Sequence, residues 1–468
     1  MCGRTKVKAA GRNCPAAQRG RGLLAYFLLI FLCPATVFGQ VVELDTVLTF
    51  PQRILNGFYV SELNKLYISS RNKIYVVDCS TCQMGEIPIS WGGDNHFAYN
   101  QQGRKLYVKD QGYSDSVAVI DVLGDTVIKW ISSDRSKWLC YANNINRLYF
   151  GYDTLYVVDC NTDSIVKEIE PPLSGYVYLS ASWDSVGKRL YVSLFRWNYP
   201  DMMAVYDTSE SLVALLRVPI VEPFALQFHH QLGKAYFAGY AMDCAGVIDT
   251  KNDTFVRWFP ILVVYSGLVP YALDTIDDKF YCAAARQHWP DTLYVIDCVT
   301  DSIVKKLLEA GWGPLSVRWA AWSNRLYFTG GPRGETLKVL DCRTDSVIDR
   351  VYLEEYSLFG PPDIELDPVR HRIFAIGCDS ALYVLRELEQ GVEEERSNNP
   401  GRSAPTVVRG VLYLPERAGA AGKPVLVDIT GRRVRELVPG ANDVRGLTPG
   451  VYFIRSNAGV ERKVVIAR

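Results

Sequence analysis

The chain has 468 residues, of which 48% are hydrophobic and 22% are charged, as is typical of a globular protein too large for one small domain. Its 51 basic and 51 acidic residues cancel, but six of the basic ones lie in residues 1–39, which contain no acidic residue. The rest of the chain is therefore slightly acidic. A nucleic-acid partner normally requires a basic surface, so this class of function is not expected.

Residues 1–39 have the pattern of a secretory signal peptide. A basic segment precedes an apolar run from Leu23 to Cys33, which is too short to span a bilayer. Val37 and Gly39 are suitable residues for a cleavage site before Gln40. We predict export through the periplasm and a mature protein that is secreted or attached to the outer cell surface, without a transmembrane segment. A retained N-terminal anchor is the alternative.

A basic, an apolar and an aromatic residue occur together eight times, 40 to 47 residues apart. The copies begin at Lys65, Lys105, Arg147, Arg189, Lys234, Lys279, Arg325 and Arg372. An apolar segment precedes each copy, an apolar strand that usually ends in aspartate follows it, and an alternating strand closes the unit. Repetition of a four-stranded unit predicts an all-β protein with a β-propeller of eight blades.

The ends of the repeat array predict how the propeller closes. The eighth unit stops after its third strand, near Glu387, whereas residues 44–50 have the pattern of a fourth strand with no unit in front of it. We predict that this N-terminal strand completes the last blade, because a linear array would leave a free edge. Within the units, a recurring Asp-Cys-x-Thr-Asp-Ser predicts a tight turn held by side-chain bonds to backbone N–H groups.

The sequence contains little that indicates catalysis. Its five histidines are scattered, and we expect His229 and His230 to form a surface pair. Cys79 and Cys82 form a C-x-x-C that could be a local disulfide or half of a metal site, but no second half follows it. The cysteines that recur in the turns are interpreted as small, half-buried residues. We predict no catalytic residue, no metal and no cofactor.

Candidate ligand-binding residues lie in three long loops between second and third strands, which propellers gather on one face. Tryptophan, tyrosine and arginine are enriched where proteins bind their partners. The candidates are Arg196, Trp197 and Tyr199 in the fourth unit, Arg286, His288 and Trp289 in the sixth, and Arg333 in the seventh. The alternative is that these aromatic residues pack between blades.

The repeats resemble the YVTN-type β-propeller repeats of exported bacterial surface proteins. The pattern is clear where Arg325-Leu326-Tyr327 is followed by Val339-Leu340-Asp341 and by residues 344–347. This resemblance covers about three quarters of the chain. Seven blades are usual in that family, so seven is the alternative to the eight counted.

An acidic linker at residues 389–404 separates the propeller, residues 40–388, from residues 405–468, whose short strands predict a small Ig-like β-sandwich. The tail contains, in order, Asp428-Ile429-Thr430-Gly431-Arg432, Gly450-Val451-Tyr452-Phe453 and Lys463-Val464. With this order and spacing it resembles the C-terminal sorting domain of type IX secretion substrates (Por-type). The resemblance assigns a sorting role to Asp428, Gly431, Arg432, Gly450, Tyr452 and Lys463. It implies the type IX secretion machinery as a partner. An ordinary Ig-like module is the alternative.

The leading hypothesis is an exported, non-enzymatic propeller that binds an unidentified protein or glycan at the cell surface. One alternative is a lactonase-like or oxidoreductase-like enzyme that acts at the central channel, and another is a structural surface-layer component. Carboxylates, histidines or arginines that converge in the channel with shifted pKa values would favour an enzyme. Exposed aromatic residues in the loops would favour binding.

Overall fold

A computed structural model describes residues 40–89, 95–110, 115–132, 136, 138–218, 226–239, 244–261, 271–284, 291–311, 316–330, 336–353, 363–377, 380–388, 406–408, 411–414, 424–428, 432–438, 440–456 and 459–466. The predicted signal peptide and linker lie outside these residues. Within them the regular structure is β-strand, and no helix is long and apolar enough to cross a membrane.

The described part of residues 40–388 forms eight antiparallel sheets of four strands each. The strands are β1 Val42–Thr49, β2 Ile54–Val60, β3 Lys65–Ser70, β4 Lys73–Asp78, β5 Met84–Pro88, β6 Asn95–Asn100, β7 Lys105–Asp110, β8 Ser116–Asp121, β9 Thr126–Ser132, β10 Cys140–Ala142, β11 Arg147–Gly151, β12 Leu155–Asp159, β13 Ser164–Ile169, β14 Val177–Asp184, β15 Arg189–Phe195, β16 Met202–Tyr206, β17 Leu212–Arg217, β18 Gln227–His229, β19 Lys234–Ala238, β20 Cys244–Asp249, β21 Thr254–Pro260, β22 Tyr271–Asp274, β23 Lys279–Ala284, β24 Asp291–Asp297, β25 Ser302–Gly311, β26 Val317–Ala320, β27 Arg325–Gly330, β28 Thr336–Asp341, β29 Ser346–Tyr352, β30 Asp363–Asp367, β31 Arg372–Gly377 and β32 Ala381–Glu387.

Blades 1 to 7 each consist of four consecutive strands, from β2–β5 to β26–β29, and blade 8 has the order β30-β31-β32-β1. The first strand of each blade lies innermost, since first strands of neighbouring blades contact one another, as β2 does with β6 and β30. The prediction of an all-β propeller with eight blades is therefore confirmed.

The N-terminal strand closes the ring, as predicted. β1 pairs antiparallel with β32 from Val42 opposite Glu387 to Thr49 opposite Ala381. Asp349 of blade 7 holds the start of this strand, because its Oδ2 accepts the backbone N–H groups of Val41 at 2.7 Å and Val42 at 2.8 Å. A buried carboxylate therefore anchors the segment that joins the two ends of the propeller.

The turns between third and fourth strands are held as the sequence predicts. Asp159 Oδ1 accepts the backbone N–H of Asn161 at 2.8 Å, and Asp78 and Asp297 make the equivalent bonds in their blades. The turn ends at Asp163, whose φ of 52° is a left-handed conformation that aspartate adopts more readily than most residues. The repeated aspartates therefore shape the turns.

The second aspartate of the turn also links neighbouring blades, which the sequence did not reveal. Asp163 of blade 3 accepts bonds from Lys105 Nζ and Tyr107 OH of blade 2, both at 2.6 Å. We call this arrangement the interblade lock. Six of the described interfaces have a tyrosine hydroxyl directed at such a carboxylate, and the acceptors are Asp125, Asp163, Glu210, Asp253, Asp301 and Asp345.

The tyrosines of the lock are buried and surrounded by apolar side chains. The rings of Tyr67, Tyr107, Tyr149, Tyr191, Tyr236 and Tyr281 are among the largest fully buried side chains of the described residues. They belong to clusters that span two neighbouring blades, such as the one in which Tyr236 packs with Phe280. Each tyrosine thus contributes apolar area along its ring and a satisfied polar bond at its tip.

The seam between blades 8 and 1 departs from this pattern. Phe374 stands where the tyrosine would be and Cys82, with φ 58°, stands where the aspartate would be. Arg372 still bonds across the seam, with Nη1 2.6 Å from Cys79 O. A cleft of about 180 Å³ lies there, lined in part by Cys82, Arg372 and Phe374.

The turn cysteines are buried rather than half-buried. Cys160, Cys298 and Cys342 are at most 1% exposed, and burial raises the pKa of the Cys160 thiol to about 11. They lie in the core beside the lock, where blade 2 has the equally buried Val122 at the same position. Cys79 and Cys82 are both free thiols.

The described part of the tail forms a five-stranded sheet, in the order β33-β39-β38-β35-β36, and a ribbon of β34 with β37. These strands are β33 Thr406–Val408, β34 Val411–Leu414, β35 Val425–Asp428, β36 Arg433–Glu436, β37 Gly440–Asp443, β38 Gly450–Ser456 and β39 Gly459–Ile466. Its own apolar core includes Leu426, Tyr452 and Val464. The assignment as an Ig-like sandwich stays a prediction.

Removing the anchor of the N-terminal strand should destabilise the propeller. Asp349→Ala leaves the buried N–H groups of Val41 and Val42 without their acceptor, which we expect to cost about 3 kcal/mol in the free energy of unfolding. Lys305→Ala, at the same position of blade 6, is the control. Its bond to Asp345 O lies nearer the surface, and its loss should cost about 1 kcal/mol or less. Urea unfolding measures both, and equal effects would contradict the anchor.

Introducing the missing lock at the seam should stabilise the ring. Cys82→Asp combined with Phe374→Tyr places a hydroxyl and a carboxylate where the cleft has room for them, with a gain of about 1 kcal/mol. Tyr107→Phe removes the same hydroxyl from an intact lock and should cost about 2 kcal/mol. Urea midpoints that shift in the same direction for both variants would disprove the role of the lock.

Candidate functional site

One of the three predicted ligand-binding loops lies within the described residues. It joins β15 to β16 in blade 4 and contains Arg196, Trp197 and Tyr199. Arg286, His288, Trp289 and Arg333 lie outside the described residues, so their prediction is not tested.

A tight turn presents the aromatic side chains of this loop to solvent. Tyr199 N donates to Arg196 O at 3.1 Å, and Asn198 takes a left-handed φ of 64°. Trp197 is 75% exposed and Tyr199 is 52% exposed. Trp197 meets Phe195 only edge-on, at 6.4 Å between ring centroids. The alternative that these aromatic residues pack between blades is wrong for this loop.

Arg196 is held in place by its neighbours. Its guanidinium carbon lies 3.8 Å from the ring centroid of Tyr199 and 6.0 Å from that of Tyr176. Its Nη1 donates to Ser174 O at 2.8 Å. Cation–π contact and the hydrogen bond together fix the direction of the charge.

The segment before β14 supports the loop from the other side. Tyr176 OH donates to Pro200 O at 2.9 Å, which ties this segment to the end of the loop. Gly175 has a φ of 75°, and a Cβ there would lie 3.2 Å from the guanidinium carbon of Arg196. A side chain at this position would therefore disturb both the backbone and the arginine. Two segments of blade 4 thus build one preorganised surface, which we call the blade 4 patch (Tyr176, Arg196, Trp197 and Tyr199).

A second polar cluster lies on the innermost strands. Arg318 Nη2 of blade 7 lies 2.8 Å from Asp363 Oδ1 and 3.7 Å from Glu365 Oε1, both in blade 8. The carboxylates also reach blade 1, where Asp363 Oδ2 accepts Gly57 N at 3.2 Å and Glu365 Oε2 accepts Tyr59 N at 3.3 Å. The arginine side chain remains 40% exposed. The cluster therefore joins three blades around the channel.

Other blades use polar side chains at the inner edge in the same way. Ser182 Oγ of blade 4 accepts Leu226 N of blade 5 at 2.6 Å. Gln227 Nε2 of blade 5 donates to Tyr271 O of blade 6 at 3.3 Å. An innermost strand has backbone groups with no neighbouring strand to pair them, and these side chains supply the missing partners. The inner charged cluster thus has a structural role that explains most of its contacts.

The environment of this cluster changes its proton affinity. Burial, and then the charge of neighbouring Asp363, raise the pKa of Glu365 to about 8. Burial also raises the pKa of Asp363, despite the opposing effect of Arg318. One arginine cannot compensate two neighbouring carboxylates that are largely withdrawn from water, so the pair retains a proton at pH values where an exposed carboxyl group is ionised. Such a group can give or take a proton near neutral pH.

The prediction of a surface histidine pair is wrong for one member. His229 is fully buried, and its Nε2 lies 2.8 Å from Asp278 Oδ1 of blade 6. His230 is half-exposed and stacks on Phe228 at 6.0 Å between ring centroids. Successive side chains point to opposite sides of a strand, so His229 faces Asp278 of blade 6 whereas His230 faces Asp184 of blade 4. His229 contributes to an interface and not to a surface site.

The residues assigned to sorting have structural contacts within the tail. Asp428 Oδ1 accepts Arg432 N at 3.0 Å, across the connection from β35 to β36. Tyr452 is buried, and its hydroxyl donates to Thr448 O at 2.7 Å. Gly450 and Lys463 lie in the paired strands β38 and β39, and Gly431 lies outside the described residues. These contacts stabilise the tail and leave its sorting role as a prediction.

Comparisons with known proteins identify the fold. No protein-family model matches the chain, and no curated protein is similar to it in sequence. Among solved structures it is similar to the Dos1 propeller, with 13% identity and a TM-score of 0.58 over 74% of this chain and 95% of that one. A chain of the mitotic checkpoint complex is similar over 82% of this chain and 99% of that one, with 12% identity and a TM-score of 0.48. At this identity the likeness to the Dos1 propeller concerns the fold alone.

Protonation of Glu365 should make stability depend on pH. The folded chain keeps this proton up to about pH 8, whereas the unfolded chain loses it near the ordinary value of 4.5. Folding therefore takes up a proton between these values, and the free energy of unfolding falls as pH rises through this window. Glu365→Gln should flatten that fall in urea unfolding series, and Glu168→Gln on the exposed face of β13 should not. Identical slopes for wild type and Glu365→Gln would contradict the raised pKa.

Proposed function

We propose that this protein is an exported, non-enzymatic β-propeller that binds a protein or glycan at the cell surface through the blade 4 patch. The observation that carries the proposal is an exposed tryptophan, Trp197, beside an arginine that two tyrosines and a backbone carbonyl hold in place. Large aromatic residues and arginine contribute most of the energy at binding sites. The propeller supplies a rigid base for them.

Preorganisation supports binding at this position. The loss of side-chain freedom costs about 0.5–1.5 kcal/mol for each flexible residue ordered by a ligand. Arg196 is already ordered by Tyr199 and Ser174, so this cost is largely met before a ligand arrives. Trp197 keeps its apolar face in solvent, which favours contact with a partner.

Export is proposed from the two ends of the chain. Residues 1–39 have the pattern of a signal peptide, and the tail has the residue order of a type IX sorting domain, from Asp428 to Lys463. The tail has an apolar core formed by its own residues, as expected of a domain that a translocon reads separately. The mature protein would then be secreted or attached to the outer surface.

An enzyme at the channel is the second candidate, because the pKa of Glu365 is raised to about 8. The carboxylates of Asp363 and Glu365 are, however, occupied by backbone N–H groups of blade 1. Those bonds favour a structural role over catalysis. Turnover of a lactone or a redox-active small molecule that Glu365→Gln abolishes would reverse this preference.

Binding should depend on the exposed tryptophan of blade 4. We expect Trp197→Ala to lower affinity at least tenfold for whatever ligand the mature chain captures, because the flat apolar face is lost. Glycan-array and pull-down screens would find the ligand, and calorimetry would measure its affinity. Trp258→Ala, on the outer strand of blade 5 and 50% exposed, is the matched control. Unchanged affinity in Trp197→Ala would contradict the proposed site.

Export should require the tail. Deletion of residues 405–468 should retain the protein in the periplasm. The protein with its tail should be found outside the cell, with residues 1–39 removed. Mass spectrometry of the medium, surface and periplasmic fractions checks both statements. Recovery of the full chain with residues 1–39 attached, or only in the cytoplasm, would refute export.

A further inference from the structure

We infer that the ligand of the blade 4 patch is an acidic saccharide, whose carboxylate binds Arg196 while a sugar ring stacks on Trp197. The inference rests on the proposed binding function and names the ligand class. Two features of the patch support it, and they differ in physical origin. One is an uncompensated positive charge, and the other is an exposed aromatic face beside it.

The charge of Arg196 has no carboxylate partner among the described residues. Its one hydrogen bond there goes to the carbonyl oxygen of Ser174, which does not neutralise it. A guanidinium has five N–H donors in a planar fork that suits carboxylates, so donors remain for a ligand. The chain after residue 39 has a slight net negative charge, so an anion would be attracted here by Arg196 itself and not by the charge of the whole protein.

The aromatic face suits a sugar ring. Trp197 is 75% exposed, and its neighbour Asn198 is an exposed amide that can bond hydroxyl groups. A sugar ring offers C–H groups to the aromatic face and hydroxyl groups to the amide. The carboxylate of a uronic acid is attached to the same ring, so one residue can contact both Trp197 and Arg196.

An acidic peptide suits the patch less well. Peptides that bind in extended form usually pair with a free sheet edge. The loop joins β15 and β16, and each of these strands has neighbours on both sides. Neither of these two strands therefore offers an open edge at the loop, and a saccharide needs none.

The test compares an oligogalacturonate of about six residues with its neutral methyl ester on the mature full-length chain. Calorimetry should show at least tenfold tighter binding of the acid, and added salt should reduce the difference. Arg196→Gln should remove the preference, while Trp197→Ala should weaken both ligands. Arg217→Gln, an exposed arginine on β17 of the same blade, is the control and should leave both affinities unchanged.

The outcomes separate this inference from the proposed function. Equal affinity for the acid and the ester, or a preference that survives Arg196→Gln, overturns the acidic ligand. If Trp197→Ala still abolishes binding of a neutral glycan or a protein, the proposed function stands without it. If neither oligosaccharide binds, the inference of an acidic saccharide is overturned. If no ligand of any class depends on Trp197 for its affinity, the proposed function fails as well.

Discussion

The propeller depends on the lock between a tyrosine and a lysine or arginine of one blade and a carboxylate of the next. Neighbouring blades are separate sheets, so side chains must join them. In the lock between blades 2 and 3, Asp163 receives both Tyr107 OH and Lys105 Nζ. Burial strengthens these bonds and makes the loss of either partner costly. Because the lock recurs at six of the described interfaces, each of blades 2 to 7 is oriented by the one before it.

Closing the ring requires two further sets of hydrogen bonds, which other residues supply. The innermost strands expose backbone groups toward the channel, and side chains such as Ser182 and Asp363 pair with them across the interfaces. The N-terminal strand must stay attached to blade 8, and Asp349 anchors it by two backbone N–H groups. Taken alone, these polar residues resemble a catalytic set. Most of their hydrogen bonds, however, join neighbouring blades or hold the N-terminal strand.

Function is then expected where the blades differ. The lock and the turn occupy the residues that repeat, whereas the blade 4 loop has a sequence of its own. Its aromatic residues are exposed, and its arginine is stacked and hydrogen-bonded without a carboxylate partner among the described residues. A rigid ring that holds a variable loop is a suitable base for binding, because the ligand does not have to order the site.

The sequence by itself determined the fold class, the blade count and the closing strand, because strand alternation and turn residues are local properties that repeat every 40 to 47 residues. It also identified Arg196, Trp197 and Tyr199 as unusual. Only the tertiary structure decided which residues meet across blades: that Asp163 serves a turn and a lock, that His229 is buried, and that Arg318, Asp363 and Glu365 cluster. These residues are some 40 to 60 positions apart in the chain, and the twist of each sheet and the closure of the ring set their distances.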